Sequence, residues 1–118
     1  MNIETATKQE IFDAAVRGLA SQGWQRSMSR DGRCMYRGAF GRRCAVGWCI
    51  DEDEYNPEME GSSVSDFFDV TECLRVRFLD TVQNAHDCHA KTQDMLSEFI
   101  AVSQRFKLTW PADVEQAI

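Results

Sequence analysis

Residues 71–89, TECLRVRFLDTVQNAHDCH, and 92–107, TQDMLSEFIAVSQRFK, decide the fold. In the first, Leu74, Phe78, Val82, Ala85 and His89 recur at spacings of three and four, with Leu79 and His86 on the flank. Asp80, Gln83, Asn84 and Asp87 fall on the other side. That period predicts an amphipathic helix over Thr71–His89, with Thr71 as N-cap and Glu72 favourable in its first turn. In the second, Met95, Leu96, Phe99, Ile100 and Phe106 predict a helix over Thr92–Lys107, closed by Trp110-Pro111. The join at Cys88–Thr92 reads as a tight turn between helices or as one helix of more than thirty residues; a chain of this size favours the break. No glycine or proline interrupts Ser62–Trp110, whereas all seven glycines lie at or before Gly61.

Working outward, a third helix is predicted over Thr7–Gln22. Thr7 and Glu10 match a capping box, Ile11, Phe12, Ala15, Val16 and Leu19 share a face, and Gly23 sits where a left-handed C-terminal residue is expected. Trp24 then packs back on the core. Asp31-Gly32 between Gln25–Ser29 and Arg33–Arg37 predicts a β-hairpin, followed by a second turn at Gly38–Gly41. Arg42–Ile50 lacks period-two alternation and reads as a short buried helix, with a third strand as its rival. Asp51–Gly61 is an acidic loop, and Ser62 or Ser63 could cap a short helix through Phe67-Phe68. The expected fold is an α+β, mostly helical single domain over residues 1–118, with three main helices, a small hairpin and one or two short helices.

The 118 residues are enough for one core of ordinary composition, 43% hydrophobic and 27% charged. No apolar run approaches the ~20 residues that span a bilayer, and no secretory h-region precedes residue 30. The five cysteines, Cys34, Cys44, Cys49, Cys73 and Cys88, are odd in number, which fits reduced thiols in a cytoplasm, expected to be that of a bacterial host.

The net charge of −6 conceals a segregation. Residues 24–43 carry six arginines (Arg26, Arg30, Arg33, Arg37, Arg42 and Arg43) and one acid, Asp31. Residues 51–72 carry nine acids and no base. The acidic stretch is expected to meet a partner through Asp51, Glu52, Asp53, Glu54, Tyr55, Glu58 and Glu60, with Trp48 beside it. An alternative site for a nucleotide or other phosphorylated ligand would use Arg30, Arg37, Arg42 and Arg43, with Tyr36 for stacking and Phe40 and Trp48 also near. The bland reading is that the arginines neutralise the acidic loop, within one chain or between two copies in a homodimer. The overall negative charge argues against direct binding of nucleic acid.

Other chemistry has weaker support. His86 and His89 lie roughly 60° apart on a helix, but no spacing supplies the further ligands a zinc site needs. Cys34 or Cys44 beside an arginine could be an activated thiol, yet no cysteine-hydrolase signature surrounds either. Counting a calcium loop from Asp51 puts Asn56 and Ser62 where glycine and glutamate belong. There is no glycine-rich phosphate loop. No catalytic residue, metal or cofactor is therefore expected.

The segment Cys34-x-Tyr36-Arg37-Gly38, Arg43-Cys44-Ala45-Val46-Gly47, Ile50-Asp51-Glu52-Asp53 and Tyr55-x-Pro57-x-Met59-Glu60-Gly61 resembles a set of small, uncharacterised proteins encoded by bacteriophages and bacterial genomes. The resemblance covers 28 of 118 residues and carries over no residue role. It implies a context: a non-catalytic protein that binds a host protein or protein complex, such as an anti-defence inhibitor resembling anti-CRISPR proteins.

Overall fold

The computed structural model describes residues 1–63, 66–68 and 73–117, with the backbone alone over 73–76. Among them are three α-helices: α1 (Lys8–Ser21), α2 (Cys73–Asp87) and α3 (Thr92–Arg105). In α1 the capping box forms as expected: Thr7 Oγ1 accepts from the Glu10 amide at 3.1 Å, and Glu10 Oε1 accepts from the Thr7 amide at 2.9 Å. Ile11, Phe12, Ala15, Val16 and Leu19 are all buried. The helix ends at Gly23 and Trp24 with positive φ, and the Trp24 amide returns to the Leu19 carbonyl at 2.8 Å. A left-handed tryptophan costs about 1–2 kcal/mol. Burial of its indole between Phe99, at 5.8 Å, and Trp110, at 6.3 Å, offsets that cost.

Helix α2 buries Phe78, Leu79, Val82, Ala85 and His86, and α3 buries Met95, Leu96, Phe99 and Val102. The break between them falls where expected, although α2 stops at Asp87, so His89 is outside it. The expected cap at Thr71 and Glu72 lies outside the described residues. So does part of the expected short helix at 62–68, of which Ser63 and Asp66 form a hydrogen-bonded turn. Helix α3 ends two residues earlier than its periodicity suggests. Lys107 adopts a left-handed φ of 56°, and the amides of Lys107 and Leu108 return to Gln104 and Ser103. This is a Schellman ending built without glycine.

The β-hairpin is not formed. The chain does reverse at Asp31-Gly32, but among the described residues the pairing reduces to isolated bridges, Met28 with Cys34 and Arg37 with Arg43. The segment gains its order from side chains: Ser27 bonds to α2, and Glu60 takes the amides of Tyr36 and Arg37 away from any neighbouring strand. Arg42–Ile50 contains the buried short helix, as a single 3₁₀ turn over Val46–Cys49. That turn packs on α1 at Gly18, where an added Cβ would come within 2.2 Å of the Trp48 ring. The C-terminal tail crosses back over α1. Gln9 exchanges two hydrogen bonds with the Thr109 backbone, at 2.8 and 2.9 Å, and Arg17 pairs with Asp113. Trp110 thereby completes an aromatic cluster with Phe12, Trp24 and Phe99. No helix among the described residues is long and apolar enough to cross a membrane.

Candidate functional site

The basic block divides into two sets of arginines with different surroundings. Arg37 and Arg43 both reach Glu52 Oε1, at 3.0 and 3.3 Å. Arg37 also sits 4.3 Å over the Tyr55 ring, and Arg43 lies 5.0 Å from the Trp48 ring. Glu60 accepts from the Tyr36 amide at 2.7 Å, the Arg37 amide at 3.1 Å and the Tyr55 hydroxyl at 2.6 Å. Burial first, and this bond to Glu60 second, push the Tyr55 phenol up to about 12. Tyr36 is buried, donates its hydroxyl to the Ser62 carbonyl at 2.6 Å, and has a phenol pushed up by burial. Tyr36, Arg37, Arg43, Trp48, Tyr55 and Glu60 thus form an internal network that joins the basic segment to the acidic one.

That network fixes the acidic loop. Ile50 and Met59 are 2% exposed, and Asn56 caps the turn Pro57–Met59 by accepting from the Glu58 amide at 2.9 Å. Asp53 and Glu58 are exposed, and Glu54 accepts from the Asp51 amide at 3.3 Å. The carboxylates of Asp51, Asp53 and Glu54 converge within 4.8 Å of one another, with Asp51 bound to the Met1 amine. These acids are held on a fixed backbone instead of trailing from it.

The other arginines line a second feature. Arg26, Arg30 and Arg42, with Met28, Ser29, Ala39 and Phe40, border a groove of about 520 Å³. None of these described lining residues is acidic. Phe40 stands at its edge, 91% exposed, in the left-handed region at φ 63°. The Arg42 guanidinium is 5.4 Å from its ring.

Cys34, His86 and Asp87 place one ligand-type atom each within 4.8 Å of one another. The hydrogen bonds define what this cluster does. The Ser27 amide donates to His86 Nε2 at 2.9 Å, so that nitrogen is an acceptor; Nδ1 then carries the proton and faces Asp87 Oδ1 at 2.6 Å. A metal on Nδ1 would require a proton on Nε2, directly against the Ser27 amide. Neither nitrogen is available as a base for Cys34, whose thiol is pushed up, chiefly by burial. Cys44 and Cys49 are buried, with thiols pushed up to about 12 by burial. None has the depressed value of an activated nucleophile. His89, two residues beyond Asp87, is not part of this cluster and lies near Glu98 at 3.9 Å.

No known family model, curated protein or solved structure matches this chain. Of the residues expected to bind a phosphorylated ligand, the structure brings together Arg30 and Arg42 and diverts Arg37, Arg43 and Tyr36 inward. Sequence reasoning missed Arg26 as their companion and offered Phe40 only as one of three aromatics near the arginine block. The available signal was Gly38-Ala39-Phe40-Gly41, a bulky aromatic inside a glycine-framed turn, where a side chain has little core to reach.

Proposed function

We propose that this is a non-catalytic binding protein that attaches to a host macromolecule and modulates it, an anti-defence type of inhibitor, with the acidic loop as its contact surface. The observation that supports this reading is the fixed presentation of the acids. Arg37, Arg43, Glu60 and Met59 hold the loop, while Asp53 and Glu58 extend from it. A surface ordered before binding loses less entropy on association, and a concentrated negative field favours a basic partner, such as a host protein that itself holds nucleic acid. The locked His86 and the high thiol values of Cys44 and Cys49 favour binding over nucleophilic chemistry.

The test is charge reversal. A double variant, Asp53→Lys with Glu58→Lys, alters no residue of the Glu60 network and no side chain that holds the loop. Immobilised wild-type protein should retain a defined partner from bacterial lysate, and the purified partner should bind it with salt-sensitive affinity. The variant should lose that binding at an unchanged melting temperature. Equal affinity of wild type and variant at moderate salt would overturn the assignment.

A further inference from the structure

We infer that the groove of Arg26, Arg30 and Arg42 is a second binding site, for a nucleoside diphosphate or a nucleotide of like charge, with Phe40 as the platform for its base. It shares no residue with the acidic loop, so the two readings stand or fall separately.

Three observations carry this. The first is charge: three arginines line a groove whose described lining residues include no acid, with Arg26 also donating from Nη1 to the Asp87 carbonyl at 3.2 Å, and a planar guanidinium binds phosphate oxygens in a bidentate fork. Arg37 and Arg43, from the same segment, are instead paired with Glu52, so the lack of a carboxylate here is not a general property of the arginine block. Asp31, the acid nearest in sequence, is not among the lining residues; it accepts from Ser29, at the groove's border, and is paired with Arg33 at 3.5 Å.

The second is Phe40. An aromatic ring 91% exposed gains almost nothing from burial, and a left-handed φ for a bulky residue costs about 1–2 kcal/mol. Strain of this kind, held on a residue that contributes nothing to the core, belongs to sites where position matters more than stability. The ring already has Arg42 within 5.4 Å, and an open ring is what a base stacks on.

The third is rigidity. The Ala39 amide donates to the Met28 carbonyl at 3.0 Å, and the Gly38 amide to the Arg42 carbonyl at 2.9 Å. Ser27 Oγ donates to that same carbonyl at 3.1 Å, and the Ser27 amide is fixed by buried His86. The groove and its platform are therefore set before any ligand arrives, which lowers the entropic cost of binding. Its volume of about 520 Å³ suits one small ligand. The net charge of −6 opposes a long polyanion more than a single nucleotide.

Isothermal titration of the full chain with ADP, GDP, pyrophosphate, a short oligothymidylate and an acidic phenylalanine-containing peptide tests the assignment. The nucleotides should bind saturably, at least about tenfold more tightly than pyrophosphate, which lacks a base to stack. Phe40→Ala should remove that tenfold advantage and leave pyrophosphate binding and the melting temperature unchanged. Arg30→Ala with Arg42→Ala should weaken nucleotide and pyrophosphate alike by at least about tenfold. Absence of saturable nucleotide binding at about 1 mM, or equal nucleotide affinity of Phe40→Ala and wild type, would overturn the proposal. Tighter binding of the oligothymidylate or the peptide than of either nucleotide would equally overturn it, assigning the groove to a strand or to a protein.

Discussion

Replacing Glu60 with alanine should destabilise the fold far more than the same change at Glu52, although both are acids of one loop. Glu60 Oε1 and Oε2 accept the amides of Tyr36 and Arg37, and Oε2 also accepts the Tyr55 hydroxyl. Hydrogen bonds to a charged group contribute roughly 1.5–3 kcal/mol each. Glu60 is half-buried, so water can restore part of what alanine removes, and the expected loss is about 2–4 kcal/mol. Glu52 is 80% exposed, and its bridges to Arg37 and Arg43 should contribute only about 0–1 kcal/mol. Glu60→Gln should fall between the two, because its amide group would confront an N–H with another donor. Urea unfolding followed by tryptophan fluorescence measures this. With a slope of about 1–3 kcal/mol per molar, a 3 kcal/mol loss lowers the midpoint by between about 1 and 3 M. Coincident midpoints for Glu60→Ala and Glu52→Ala would refute the claim that Glu60 organises the segment.

Two further outcomes are expected. Gly18→Ala should lose about 1–2 kcal/mol in the same assay: the clash with Trp48, 2.2 Å from the added Cβ, outweighs the helix-propensity gain of up to about 1 kcal/mol, and a more stable variant would contradict the packing. Both tyrosines, Tyr36 and Tyr55, have phenols raised above the ordinary value near 10, so the folded protein should show little phenolate absorbance at that pH. Because the folded values are raised, the stabilisation is complete below about pH 10 and fades as pH climbs through the folded values, about 12 for Tyr55. Half of the phenol absorbance developing near pH 10, with the fold intact, would refute these environments.

What the sequence made legible was local. The Thr7–Glu10 box, the Gly23 ending and the apolar face of α1 each depend on residues within one turn of each other, and all formed. The periodic faces around Phe78 and Phe99 were readable for the same reason. The hairpin failed because Asp31-Gly32 specifies only the turn. The amides that would have extended the pairing were claimed by Glu60, 23 and 24 residues away, which no local pattern encodes. The end of α3 at Arg105, two residues before the predicted Lys107, is not legible because a lysine, Lys107, occupies the left-handed position that glycine usually advertises. At the candidate sites, composition revealed the arginine block but could not say which arginines would turn inward. That division depends on the position of one carboxylate, Glu52, in three dimensions.

The clamp of the C-terminal tail on α1 bears on how the chain is made. Phe12 and Trp24 emerge from the ribosome long before Trp110, the ring that covers them both. Gln9 likewise waits for Thr109, 100 residues later. A nascent chain therefore carries these two rings without their Trp110 cover until the segment around residue 110 has been made, and its first helix reaches its final surroundings only then. Until that segment arrives, the incompletely covered aromatic surface is the part of the chain most open to aggregation.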